Sequence, residues 1–449
     1  GLDLIQLLPL NDTGAQPSPY SALSAFALNP AYLRIQQIPG HEYFLNELNS
    51  WKTKFLASER IDYSATYDFK LSLLHQIYAV DQLAWLGDTA LNAWVSQNPW
   101  VKTYAVYRMI KEDNGLKSWV EWEDFKHPES NFILEYWDQH QAQAMFFAWI
   151  QYWCERQFHD AAQDCSALGV QIKGDIPILI SEDSADVWGH RCFFDLENRA
   201  GAPPDMFCKD GQNWQFPCYQ WDVLEKENYS WWKDRLKQAA KFYHSFRIDH
   251  VLGFFRIWQV PEKHISGMLG RFSPSQSFTQ AELKSAGFHE GQLIHWSNPS
   301  WHISELHQKN LDPHHEDHAP FFESLYEHQE QYRLKPFIGE RELLHLPDDV
   351  RQSIQSLMYD RIFIQFEAEP QVYYPFWYWY HSEVFKSESP ENQIKIRDLL
   401  NQKEYSQDIF WGENGHKLLK MMRDETDMLV CAEDLGVVPD CVAPTLANL

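Results

Sequence analysis

Four short apolar runs, far apart in the chain, constrain the fold more than any other feature. Residues 1–10 read as a buried strand, Val170–Ile180 as a second, Phe246–His250 as a third and Met428–Asp434 as a fourth, ended by Gly436. Helical patterns fill much of the intervening chain. Residues 40–165 are mostly of this kind: Tyr67–Tyr78 and Gln141–Ile150 carry apolar residues three and four apart. Strands separated by helical stretches specify an α/β fold with parallel strands.

Other segments punctuate this pattern. Asn11–Pro19 is a polar, Pro-containing loop, and a Gly/Pro/Asp-rich loop is expected over roughly 198–220. Residues 260–425 are richer in charge, His and Gln and read as a mainly helical insertion. The domain reading is therefore a first barrel part over 1–259 with a helical subdomain at about 40–165, the 260–425 insertion, and a barrel continuation over 426–449. The chain opens on Gly1 with no initiator Met or signal peptide, and stops at Leu449 inside a helix-like pattern. A piece of a longer protein is the expectation.

Composition excludes several classes of function. Sixty-three acidic against 38 basic residues leave a net charge of −25, unsuited to nucleic acid or an anionic membrane surface. No apolar stretch reaches the ~18 residues of a membrane helix. A hydrophobic content of 44% argues against disorder. Twenty Trp, 21 Tyr and 28 Phe suit sugar-binding platforms, and they suit a large core equally. Seven scattered Cys without a C-x-x-C pair indicate neither a zinc ribbon nor a disulfide scaffold, and fit a reduced, cytoplasmic setting. No cofactor motif appears: there is no H-E-x-x-H, P-loop or G-x-G-x-x-G. No metal and no cofactor are expected.

The chemistry concentrates at two strand ends. On a strand Arg247 and Asp249 face the same way. A neighbouring cation keeps a buried carboxylate ionised, as the nucleophile of a retaining glycosidase must be. The same pair also reads as a purely structural ion pair. Leu429, Cys431 and Glu433 share a face in the fourth run. An apolar setting there would raise the Glu433 carboxyl and hold it protonated, as a general acid requires. Alternatively Glu433 or Asp434 caps the following turn. Glu340 and Glu413 are weaker rivals, since neither follows a buried strand. His314–His318 fits a solvated loop better than a metal site. The aromatic run Tyr373–Tyr380 fits an insert core or interface better than a sugar platform.

Five segments converge on one family. They are Leu8–Asp12 with Ser18–Pro30, Gly174–Ile178 with Ser181–Trp188, Gly201–Asp205 with Gly211–Trp214, Phe246–His250, and Ala432–Gly436. In this order they resemble the 4-α-glucanotransferases of the amylomaltase, or disproportionating-enzyme, type of glycoside hydrolase family 77. The 184 positions between Asp249 and Glu433, with the Gly253–Trp258 segment, look like the plant cytosolic type and its relatives. The resemblance implies a (β/α)8 TIM barrel of glycosidase type, cut at both ends in this chain. It implies transfer from maltose or malto-oligosaccharides to a glucan acceptor. Asp249 would be the nucleophile, Glu433 the acid/base, and Arg247 the group that orients Asp249. Ser18, Tyr20, Asp175 and His250 would line the donor site, and Gln212 and Trp214 the loop over the sugar, with Asp205 a further substrate contact. Gln215-Phe-Pro departs from the family's usual Gly-Asn-Pro. The family's third carboxylate, in a His-Asp motif, has no match before Leu449. An α-glucan hydrolase on the same barrel and a non-catalytic glucan-binding protein remain as alternatives. The sequence sets no oligomeric state.

Overall fold

In the computed structural model, which describes residues 1–129, 131–325 and 330–449, the four apolar runs form one sheet. β1 (Leu4–Gln6), β2 (Gln171–Pro177), β3 (Ser245–Asp249) and β4 (Leu429–Ala432) lie side by side in chain order, all parallel. The pleat sorts their side chains. Ile172, Ile176, Phe246 and Ile248 are buried on one face. Asp175, Arg247 and Asp249 project from the other. Cross-strand register sets Asp175 opposite Arg247, and Arg247 opposite Cys431.

The helices cover this sheet for readable reasons. α1 (Trp100–Asp113) packs on α2 (Gln141–Ala167), whose residues Ala144–Gln151 are buried on every side. A helix apolar all round is an enclosed one. α3 (Ser230–Ala240) buries Trp231, Trp232 and Leu236. In the 40–165 region, Asp62 and Asp88 cap the helices Tyr63–Val80 and Thr89–Gln97, accepting from Ala65 N and Leu91 N. Among the described residues no helix is long and apolar enough to cross a membrane.

The chain divides into two compact units. One comprises 1–195, 216–251 and 420–435, and holds the parallel sheet. The other comprises 196–215, 252–419 and 436–449.

Three expectations change. Within residues 1–10 only Leu4–Gln6 is strand, and it is exposed: Leu4 is 44% and Ile5 37% accessible. It is an outer strand of this sheet, with a neighbour on one side only. The 198–220 stretch is not simply a loop. Strands Phe194–Ala202 and Gln212–Tyr219 flank a short connection and belong to a sheet with Ile257–Pro261 and Arg271–Ser273. Gly201 allows their close approach, since a Cβ there would lie 2.0 Å from the Gln212 carbonyl oxygen. Finally, the 260–425 stretch contains two three-stranded antiparallel sheets among its helices. One joins Ser300–His302, Phe322–Ser324 and Gln331–Leu334. The other joins Phe278–Thr279, Phe363–Phe366 and Glu369–Pro375. Two apolar cores form here, one around Trp301, Leu334 and Phe376 that also takes in Ile364 and Tyr374 of the second sheet, the other around Phe278, Trp296 and Phe385.

Candidate active site

The site is built where β2, β3 and β4 end. Arg247 lies between two carboxylates: its Nη1 donates to Asp175 Oδ2 at 2.8 Å, and its Nη2 lies 2.6 Å from Asp249 Oδ1. Tyr20 Oη donates to the same Asp175 oxygen at 3.3 Å. Asp175 Oδ1 is buried and has no hydrogen-bond partner among the described residues.

Glu433 reaches the same strand ends by backbone contacts. Its N–H donates to Ile248 O at 3.1 Å, and its carbonyl accepts from Val251 N at 3.0 Å. Its carboxylate accepts from His250 N at 2.7 Å and from Leu435 N at 3.1 Å. The apolar setting expected for Glu433 is thus replaced by two backbone donors on a half-buried side chain. His250 has φ +59°, a conformation uncommon for a non-glycine residue, and this turn aims its N–H at Glu433.

The electrostatics differ from the simple ion-pair expectation. Burial pushes the Asp249 carboxyl above the usual range. Arg247 opposes this and Glu433 adds to it. Asp175 is also raised, by burial first, against the pull of Arg247. Desolvation outweighs one shared cation because Arg247 must serve two carboxylates. Arg247 itself is held above its ordinary value by Asp175 and Asp249, despite its partial burial. Burial raises Tyr20 and lowers His250, with Asp175 adding to the first and Glu433 opposing the second.

The loop that carries Ser18 and Tyr20 is fixed from behind by two buried aspartates. Asp12 accepts from Arg108 Nη1 at 2.5 Å and Tyr104 Oη at 2.6 Å. Asp186 accepts from Ala25 N at 2.9 Å and Trp231 Nε1 at 3.0 Å. These pairs account for Asp residues of the first two sequence segments as braces. Ser18 itself is exposed, and its carbonyl accepts from Ser21 N at 3.2 Å.

Asp205, Gln212 and Trp214 belong to the second unit. Asp205 caps its loop, accepting from Phe207 N at 2.8 Å and Cys208 N at 2.7 Å. Trp214 Nε1 donates to Gln212 Oε1 at 2.8 Å. Gln215, where the family pattern breaks, has φ +67° and receives a bond from Arg341 at 3.0 Å. Met206 and Phe207, both 88% exposed, present two adjacent apolar side chains that sequence reasoning passed over. An apolar pair inside a Gly/Pro/Asp-rich segment was the available signal.

The rivals occupy other settings. Glu340 is fully buried and accepts from Ile265 N, Ser266 N and Ser266 Oγ, each at 2.7 Å, and from Tyr359 Oη. Burial pushes its carboxyl up, but these bonds prevail and leave it below the usual range. Glu413 is exposed within the helix Pro390–Glu425. In His314–His318, the His314 ring contacts Tyr332 Oη at 3.0 Å and His318 Nδ1 accepts from Asp312 N at 3.0 Å. Among the described residues no group of three or more His, Cys, Asp or Glu is placed to hold a metal ion.

Comparison with known proteins identifies the family. Residues 1–449 match the glycoside hydrolase 77 family, described as 4-alpha-glucanotransferase. The 4-alpha-glucanotransferase DPE2 of Oryza sativa subsp. japonica is 31% identical across 100% of this chain and 50% of its own length. The 4-alpha-glucanotransferase of Thermus thermophilus is 32% identical across 60% of this chain and 54% of its own. The amylomaltase of Streptococcus agalactiae, solved in complex with acarbose, superimposes with a TM-score of 0.52 at 26% identity, covering 60% of this chain and 56% of that one. The chain spans about half the length of the curated relatives it matches. Matched from its first residue to its last, it belongs to the glycoside hydrolase 77 family of 4-alpha-glucanotransferases.

Proposed function

We propose that the whole protein transfers glucosyl or glucan units from maltose or malto-oligosaccharides to a glucan acceptor, by a retaining double displacement. One observation carries this reading. Asp249 and Glu433 stand at the ends of adjacent parallel strands, and Arg247 links Asp249 to Asp175. Family membership and the acarbose complex of the similar amylomaltase support α-glucans as substrates.

In this mechanism Asp249 Oδ attacks the anomeric carbon while Glu433 gives its proton to the glycosidic oxygen. The C–O bond breaks and the first product leaves as an alcohol. A glycosyl ester on Asp249 remains. An acceptor hydroxyl then attacks the anomeric carbon, Glu433 takes its proton, and the ester bond breaks to free Asp249. Arg247 holds the Asp249 carboxylate in line, and Asp175, tied to the same guanidinium, is assigned to the donor side. Ser18, Tyr20 and His250 complete this donor side. Asp205, Gln212 and Trp214 are assigned to the sugar-covering loop. Transfer prevails over hydrolysis where an acceptor is bound and water excluded.

The same reading places the sheet in a (β/α)8 barrel. Its four parallel strands follow one another in chain order, as in a barrel, without the reversal of a doubly wound sheet. Both outer strands leave apolar side chains exposed, Leu4 and Ile5 on β1 and Leu429 on β4. The 260–425 segment is then an insertion between barrel strands. Among the described residues no disulfide joins the seven cysteines, which supports a reduced, cytoplasmic setting.

Glucose release from maltose by the full-length protein, with and without glycogen, tests the activity. Glycan-dependent release, with the second glucosyl recovered in polymer and loss of turnover in Asp249→Asn, is the expected result. Two glucoses per maltose regardless of acceptor would identify a hydrolase. Turnover undiminished by Asp249→Asn would overturn the assignment of the nucleophile.

A further inference from the structure

A cavity of about 730 Å³ opens within the second unit, lined in part by Lys263, His264, Lys335, Phe337 and Arg361. Its volume lies within the range of small-molecule sites. Its polar groups are unusual. The Arg361 side chain makes no hydrogen bond or ion pair among the described residues, and its Nε is sealed from solvent. Asp360, the acidic group that acts on it, has its Oδ1 engaged by Glu383 N at 2.7 Å and Val384 N at 3.3 Å. Burial lowers the Arg361 guanidinium to about 10, so it stays charged at neutral pH. His264 is 5% exposed, and its Nδ1 is buried without a hydrogen-bond partner among the described residues. Burial pushes His264 down to about 4, against the pull of Glu340, so the ring is neutral. A cation without an ion-pair partner on a cavity wall is costly unless something enters to meet it.

The remaining charges favour an anion. Lys335 stands exposed at the mouth. Lys263 Nζ donates to Phe337 O at 2.6 Å and faces the exposed Glu367 at 3.7 Å. Glu262 is engaged by Arg341 at 3.3 Å, and Arg333 by Glu323 at 2.5 Å. Glu197 and Arg271 also line the space, the latter paired with Glu369 at 2.5 Å. Phe337, Ile338 and Met358 supply an apolar wall. The volume exceeds what one inorganic ion fills.

We propose that this cavity binds a small phosphorylated metabolite, its phosphate held by Arg361, His264 and Lys335 and its neutral portion against the apolar wall. The site reaches the sugar-loop segment directly: the His264 carbonyl accepts from Asn213 Nδ2 at 2.9 Å, between Gln212 and Trp214.

Calorimetric titration of the chain with glucose 6-phosphate, with inorganic phosphate, and with maltose as a neutral competitor tests the proposal. Saturable one-to-one binding of glucose 6-phosphate is expected, tighter than inorganic phosphate and indifferent to maltose. Arg361→Gln should weaken it by about tenfold or more, since charge-assisted bonds are the strong ones. The ligand-free Arg361→Gln chain should melt no lower than the parent, having lost an unpaired cation. Lys335→Gln, an exposed change that leaves folding intact, should weaken binding a few-fold. Absence of saturable binding, displacement by maltose, or undiminished affinity in either variant would overturn it.

Discussion

Asp249 illustrates how a single residue's environment decides its chemistry. Spacing alone pairs it with Arg247, and the 2.6 Å contact exists. Yet its carboxyl is raised, because burial outweighs a cation that Asp175 shares. In the proposed mechanism Arg247 is therefore what keeps Asp249 ionised enough to attack. The sign follows directly: Arg247 lowers Asp249, so removing it raises the carboxyl further. Less of the proposed nucleophile is then ionised at any given pH. For Arg247→Met the acidic limb of the kcat/KM profile should move to higher pH. At neutral pH the lost charge-assisted contacts, worth about 1.5–3 kcal/mol, should lower kcat/KM roughly ten- to hundredfold. A profile that falls in height without shifting would show that Arg247 acts on substrate binding alone.

At the scale of elements, β2 shows what the strand pattern conceals. Gly174 sits between Lys173 and Asp175 because Tyr243 packs against its backbone; a Cβ there would lie 2.4 Å from the ring. Gly174→Ala should cost about 1–3 kcal/mol by overpacking. The cost should shrink in a Tyr243→Leu background, as thermal unfolding of the four-member cycle would reveal. An equal cost in both backgrounds would locate the strain in the strand itself. The positions of β2, β3 and β4 were legible from their apolar runs, and the helices of 40–165 from their spacing. The strands around Gly201 were not, because Gly and Pro signal turns locally, whereas here the glycine serves a close approach between strands. The short strands of the 260–425 segment, two to seven residues each, carry too few alternations to register.

For the whole molecule, the division into two compact units predicts stepwise unfolding. In scanning calorimetry the calorimetric enthalpy should exceed the van't Hoff enthalpy. A ratio of one would mean that the units melt as a single cooperative body. The acidic balance of −25 belongs to this scale too: it keeps polyanions at a distance, while neutral glucans carry no charge to be repelled. The cationic cavity of Arg361 is a local exception to that balance.

The amino-acid sequence by itself determined where the parallel strands run, which of their side chains share a face, and the family whose motifs appear in order. Periodicity and motif spacing are properties of short contiguous segments, so they survive without any tertiary information. Only the folded chain decided that Asp175, Arg247 and Asp249 form one linked row, and that Glu433 is held by His250 N and Leu435 N. It alone showed Glu340 as a buried brace and Arg361 as a cation without a side-chain partner among the described residues. Lateral register and desolvation depend on segments hundreds of residues apart, and no local pattern encodes how far burial will outweigh a neighbouring charge.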